Sequence, residues 1–173
     1  DQGDWDPFTD RDPIKDIPYG GILYATDREP ASGEEGYYLD DRGHVLRLGV
    51  AEVIAGKDGM TWDEARRISL LKERPEDYPL KVTGVAEVGI LDRSVNMLTD
   101  SLVENDDRKQ PGEQFADKIN AKLAISQVKD VFIYLHGYKV VFENPLLVAS
   151  ELWHFLGYEG AFIAFSWPST PST

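Results

Sequence analysis

Two short apolar runs each end in residues able to do chemistry. Val131–Leu135 is followed by His136, Gly137 and Tyr138, and the run 161–167 closes on Ser166 and Trp167 ahead of Pro168 and Ser169. An imidazole can brace a loop or move a proton, a hydroxyl can attack or donate, and a glycine lets a ligand approach the backbone. Where strands run parallel, ligands bind beyond their carboxyl ends. These two strand ends are therefore the first place to look for a site.

The elements that must position these residues lie within 130–167. An apolar run of five residues has the pattern of a strand buried on both faces. Asn144 is placed to cap a helix, with Pro145 at its first position, where a missing N–H costs nothing. Leu146, Ala149, Leu152, Trp153 and Leu156 recur at helical spacing, so one face is apolar. Gly157 is a helix stop. Strand, helix and strand make a βαβ unit with parallel strands and a right-handed crossover.

Upstream, residues 1–18 are rich in Asp and Pro and read as an extended acidic lead-in. Their Asp spacing lacks the Gly and terminal Glu of a calcium loop. A strand is expected at 22–26, further strands at 37–39 and 44–54 with Asp40 to Gly43 as a hairpin-like turn, and a β-rich stretch at 78–91. Thr61 and Glu64 form a capping box for a helix running to about Glu73. Residues 104–112 look like a linker ahead of a helix at 113–125, with Phe115, Ile119 and Leu123 on one face. The section 19–91 reads as strands extending the main sheet, with a separate accessory domain as the alternative.

The chain has 173 residues, 42% of them hydrophobic, a formal net charge of −13 and no Cys. One domain with a sizeable core fits these values. The charge argues against nucleic-acid partners, because no basic patch can neutralise phosphates. The lack of Cys excludes disulfides, thiolate metal sites and a Cys nucleophile. No apolar stretch reaches the roughly 20 residues of a membrane span. No metal or cofactor is expected, and no phosphate-binding glycine motif follows a strand, which disfavours a nucleotide-binding domain. The start at Asp1 fits a processed chain, so export in a bacterium is compatible while localisation stays open.

The ordered set of Ala25-Thr-Asp-Arg28, His136-Gly-Tyr138 and Phe165-Ser-Trp-Pro-Ser169 resembles the α/β-hydrolase superfamily, in a bacterial branch largely uncharacterised in function. The resemblance covers most of the chain from about Tyr19. One departure is Lys139, where the branch has Asn. The resemblance implies an α/β fold with a mostly parallel sheet and a β-rich N-terminal section. It implies that the backbone N–H of Tyr138 supplies one donor of an oxyanion hole, that His136 and Gly137 support that loop, and that His136 braces it without being the general base. Ser166 and Trp167, and Tyr138 itself, are expected to line an acyl pocket.

The chemistry of this superfamily also needs a serine on a strand–turn–helix elbow, then an acid, then a His. Ser32, Ser69, Ser166 and Ser169 all lack that context, and His44 and His154 read as surface residues. The expectation is therefore the N-terminal portion, 19–173, of a carboxylesterase-like serine hydrolase acting on a small ester-like substrate. Its triad would lie beyond Thr173, on a C-terminal fragment of the same protein present as a second chain or missing. The strands carrying Phe132 and Phe162 would leave an open sheet edge. The alternative is a non-catalytic binding or scaffold protein with the same fold.

Overall fold

β-branched and aromatic residues at alternate positions build the first strand, β1 (Ile22–Pro30), with Ile22 and Tyr24 facing one way and Leu23 and Ala25 the other. The computed structural model describes residues 20–32, 36–57, 60, 64, 67–68, 70–73, 76–91 and 110–169. The acidic lead-in, the capping box at Thr61 with most of its helix, and most of the linker at 104–112 lie outside the described residues.

β1 is followed by β2 (Tyr38–Ala55), β3 (Leu80–Ile90), α1 (Pro111–Ile125), β4 (Val131–Leu135), α2 (Glu143–Phe155) and β5 (Ala161–Ser166). The strands form one sheet in the order β3-β2-β1-β5-β4. β1 to β3 pair antiparallel, whereas β1, β5 and β4 are parallel. The α/β class is as expected. The sheet is mixed rather than mostly parallel, because the β-rich N-terminal section forms an antiparallel meander joined edge-on to the βαβ unit.

β2 runs straight through the expected turn at Asp40 to Gly43. β1 continues past Thr26 to Pro30, with register shifts on either side of Arg28, and so supplies a partner for the first residues of β2. Charges on the two strands match: the Arg42 guanidinium lies 3.3 Å from Asp27. Gly49 is required where β2 crosses Tyr24, since a Cβ there would lie 2.3 Å from the Tyr24 ring.

The helices cover opposite faces. On one side α2 packs Leu146, Ala149 and Trp153 against Ile22, Tyr24, Phe162 and Ala164. On the other, Phe115 and Ile119 of α1 cover Leu23, Ala25, Leu48 and Ile163. α1 begins at Pro111, inside the stretch expected as linker, because Pro needs no N–H partner in a first turn. In α2 the capping expectation shifts: Phe142 is the N-cap residue and makes no side-chain cap bond, while Asn144 and Pro145 sit within the first turn. Leu152 and Leu156, expected on the buried face, are exposed. Gly157 ends the helix as expected. Its N–H donates to His154 O (2.9 Å) and that of Tyr158 to Trp153 O (2.9 Å), the double bond pattern of a Schellman stop, with φ of 67° at Gly157.

β4 is the edge strand, and it is not buried on both faces. Phe132 and Tyr134 pack toward α2, but Ile133 is 60% and Leu135 63% exposed, because α1 lies over β3, β2, β1 and β5 and leaves this face of β4 bare. The Phe162 strand, β5, lies inside the sheet, so among the described strands the apolar open edge next to the βαβ unit belongs to β4 alone.

Lys122 is buried although it was not on the expected apolar face of α1. Its Nζ donates to Gly21 O (2.7 Å) and stands 4.8 Å from the centre of the Trp153 ring. Burial, helped by nearby Lys118, pushes its pKa down to about 8. Below pH 8 the amine is charged in both folded and unfolded chains. Between 8 and its ordinary 10.5 only the unfolded chain keeps the proton, so stability rises with pH there. The opposing group is the buried pair Tyr24 and Tyr38, whose hydroxyls lie 3.0 Å apart, with Tyr38 also donating to Glu87 (2.7 Å). Burial pushes Tyr24 up to about 12, and burial with these hydrogen bonds raises Tyr38 as well, so above pH 10 the unfolded tyrosines lose protons first and stability falls. The unfolding free energy from urea titrations is expected to rise from pH 7.5 to about 9.5, by up to roughly 2 kcal/mol, and Lys122→Met is expected to flatten that rise.

Candidate functional site

Leu135 and Ser166 end β4 and β5, and Thr26 is the last residue of β1 paired with β5, so the three sequence motifs meet at the carboxyl ends of the parallel strands. Loop 136–140 leaves β4 and lies against 167–169, which leave β5. Trp167 makes two reciprocal bonds to His136: its backbone N–H donates to Nε2 (3.0 Å), and its indole N–H donates to the His136 carbonyl (3.0 Å). The two rings stack at 5.3 Å with 8° between planes. Because Nε2 accepts, the ring proton sits on Nδ1, which donates to Gly137 O (2.8 Å). Both imidazole nitrogens are thus engaged within the loop, the geometry of a brace.

The far side of the loop is pinned by Ser169. The Lys139 N–H donates to Ser169 O (3.2 Å), and the Val140 N–H donates to the buried Ser169 hydroxyl (3.0 Å). Between these anchors lie Gly137 and Tyr138, whose backbone N–H groups have no partner among the described residues. Tyr138 is 63% exposed. Gly137 has no positive φ, and a Cβ placed on it would meet no atom within 4 Å. The protein's own packing therefore does not require glycine there.

Lys139 occupies the left-handed region at φ 58°. Asn tolerates that region better than other residues with a Cβ. Lys139→Asn is expected to stabilise the fold by about 0.5–1 kcal/mol, seen as a higher urea midpoint at unchanged m.

Ser166 is fully buried. Its hydroxyl accepts from Arg28 Nε (3.1 Å) and donates to Phe142 O (3.3 Å), so it faces the interior and not a pocket. Thr26 donates to the Ser166 carbonyl at 2.5 Å. Trp167 is half-buried against His136. The residue that sequence reasoning missed is Arg28. It closes the Ala25–Arg28 motif, and its side chain is wholly buried with all five of its N–H groups engaged. The available signal was a lone Arg two residues after an otherwise apolar strand run.

Among the described residues of the βαβ unit and its flanks, Ser126, Ser150, Ser166 and Ser169 are all buried. Each hydroxyl bonds to Glu159, Leu146 O, Phe142 O and Val140 O in turn. None is raised on an elbow. His154 bonds to the Tyr158 hydroxyl (2.8 Å) on α2, away from the strand ends. The described residues hold no cluster of three or more His, Cys, Asp or Glu suited to a metal ion, and no described helix is long and apolar enough to cross a membrane.

No curated protein and no solved structure matches the chain. Residues 112–173 match the model of a family described as "alpha/beta hydrolase of unknown function". That segment contains α1 from its second residue, the whole βαβ unit and both strand-end loops, and the match supports assigning the chain to the α/β-hydrolase superfamily.

Proposed function

We propose that this chain forms the oxyanion side of a carboxylesterase-like serine hydrolase. The observation that carries the reading is the pair of exposed backbone N–H groups at Gly137 and Tyr138, without a partner among the described residues and held on a braced loop at the carboxyl end of β4. Such donors stabilise the negative charge that develops on a carbonyl oxygen during acyl transfer, and one is worth about 10²–10³ in rate. In this reading Tyr138 N–H is one donor, and the residue after the nucleophile is the other. The nucleophile, acid and His belong to further strands of the same protein, which continue the sheet from the bare edge of β4. The substrate is a small ester, its acyl group near Tyr138 and Trp167.

A second reading is a binding or scaffold protein with this fold and no turnover. It is favoured by the engagement of the described site-side serines in structural bonds. Treating the purified protein with a fluorophosphonate serine probe, followed by intact mass spectrometry, separates the two. Label on a segment or chain continuing this one supports the hydrolase. A folded protein that stays unlabelled, with every polypeptide in the sample accounted for, supports the scaffold.

A further inference from the structure

Arg28 lies where β1 changes register against β2, and its guanidinium is the point at which three separate segments meet. Nη1 donates to Leu39 O (3.3 Å) and to the Asp40 carboxylate, both on β2. Nε donates to the Ser166 hydroxyl (3.1 Å) at the end of β5. Nη2 donates to Val140 O (2.6 Å) and to Trp167 O (2.8 Å). The two carbonyl oxygens on Nη2 come from the two strand-end loops, so one nitrogen bridges them. Without the guanidinium the Trp167 carbonyl would lose this donor, and Val140 O would keep only the 3.3 Å bond from the Ser169 hydroxyl.

We infer that Arg28 is a positioning residue, whose guanidinium sets the separation of loop 136–140 from the turn at Trp167 and so aims the Tyr138 N–H. Val140 is two residues from Tyr138, so a shift of its carbonyl moves that donor. Lysine cannot substitute, because an ammonium has three donors and no planar fork to reach all three segments. Asp40, half-exposed, balances the buried charge from the outer end. The catalytic consequence rests on the oxyanion reading of Tyr138, whereas the placement of the loops does not.

The test uses Arg28→Lys and Asp40→Asn in the intact protein, with two independent readouts. The first is amide exchange at Lys139, Val140 and Trp167, together with the ring ¹⁵N shifts that report the His136 tautomer. The second is the division between kcat and KM on p-nitrophenyl acetate. Arg28→Lys is expected to speed exchange at the three loop amides about five- to tenfold while the α2 amides keep their rates, and to disturb the Nδ1–H signature of His136. It is also expected to lower kcat about 10²-fold with KM nearly unchanged, as misplacement of a donor used only in the transition state does. Asp40→Asn is expected to act in the same direction but less, and it decides the matter should Arg28→Lys not fold. Wild-type loop exchange and kcat in a folded variant overturn the inference while leaving the hydrolase reading in place. Exchange that rises equally in α2 also overturns it, since Arg28 would then serve only global stability. A wild-type protein without turnover removes the hydrolase reading, and the exchange and ¹⁵N results then decide the placement by themselves.

Discussion

Gly137→Ala is expected to cut the kcat for ester hydrolysis by about 10²–10³-fold while leaving the fold intact. The two halves of that expectation come from different observations. Stability is expected to stay within about 0.5 kcal/mol, because the backbone here is not in the left-handed region and an added Cβ meets no protein atom within 4 Å. Activity falls because the new methyl occupies the space beside the Tyr138 N–H that a reacting carbonyl oxygen needs. Unchanged thermal unfolding with lost turnover is the expected pair of results. Unchanged turnover would mean that no ligand approaches the backbone at this loop, and would remove Tyr138 as a donor.

Trp153→Ala is expected to cost about 3–5 kcal/mol, a large share of the stability of a domain this size. The ring is fully buried in α2, edge-on to Tyr158 at 5.4 Å and tilted against Phe162 at 6.4 Å. Its indole N–H donates to Glu159 O (3.1 Å). Truncation opens a cavity between helix and sheet, removes the indole bond to that carbonyl and removes the aromatic face beneath Lys122 Nζ. Trp153→Phe keeps most of the volume and is expected to cost about 1–3 kcal/mol, through the lost hydrogen bond and the smaller ring. Equal urea midpoints for the two variants would show that the packed volume contributes little.

The contrast between what was readable in the sequence and what was not has a physical basis. β1, β5, α2 and the stop at Gly157 were legible because short-range patterning specifies them: apolar runs, helical spacing and a glycine in its preferred conformation. The continuity of β2 was not legible, because Asp40 to Gly43 has turn composition and becomes strand only through tertiary pairing with the far end of β1 and the charge on Arg28. Likewise, five apolar residues in β4 do not reveal that one of its faces stays bare, since that depends on where α1 comes to rest. The strand-end loops were located correctly from the sequence. The Arg28 fork that ties them together was not, because its five acceptors are scattered from Leu39 to Trp167 and four of them are oxygens that any residue or any Ser supplies: three backbone carbonyls and a hydroxyl.

The same scatter has a consequence for the order of events during synthesis. β1 is the central strand, flanked by β2, which follows it at once, and by β5, whose Ser166 lies 138 residues downstream of Arg28. At about 5–20 residues per second, a ribosome delivers Ser166 roughly 7–28 s after Arg28. The antiparallel meander can form early in that interval, but one side of β1 must wait with its backbone unpaired. Throughout the wait the guanidinium has only Leu39 and Asp40 to bind, and water must hold its other donors. Closure of the sheet, and with it the assembly of both strand-end loops, is therefore a late step in the life of the nascent chain. A chain stalled before Ser166 has emerged should present an unpaired edge on β1 and bind a chaperone that recognises extended apolar segments. One stalled well after Ser169 has cleared the exit tunnel should have that side of β1 covered by β5.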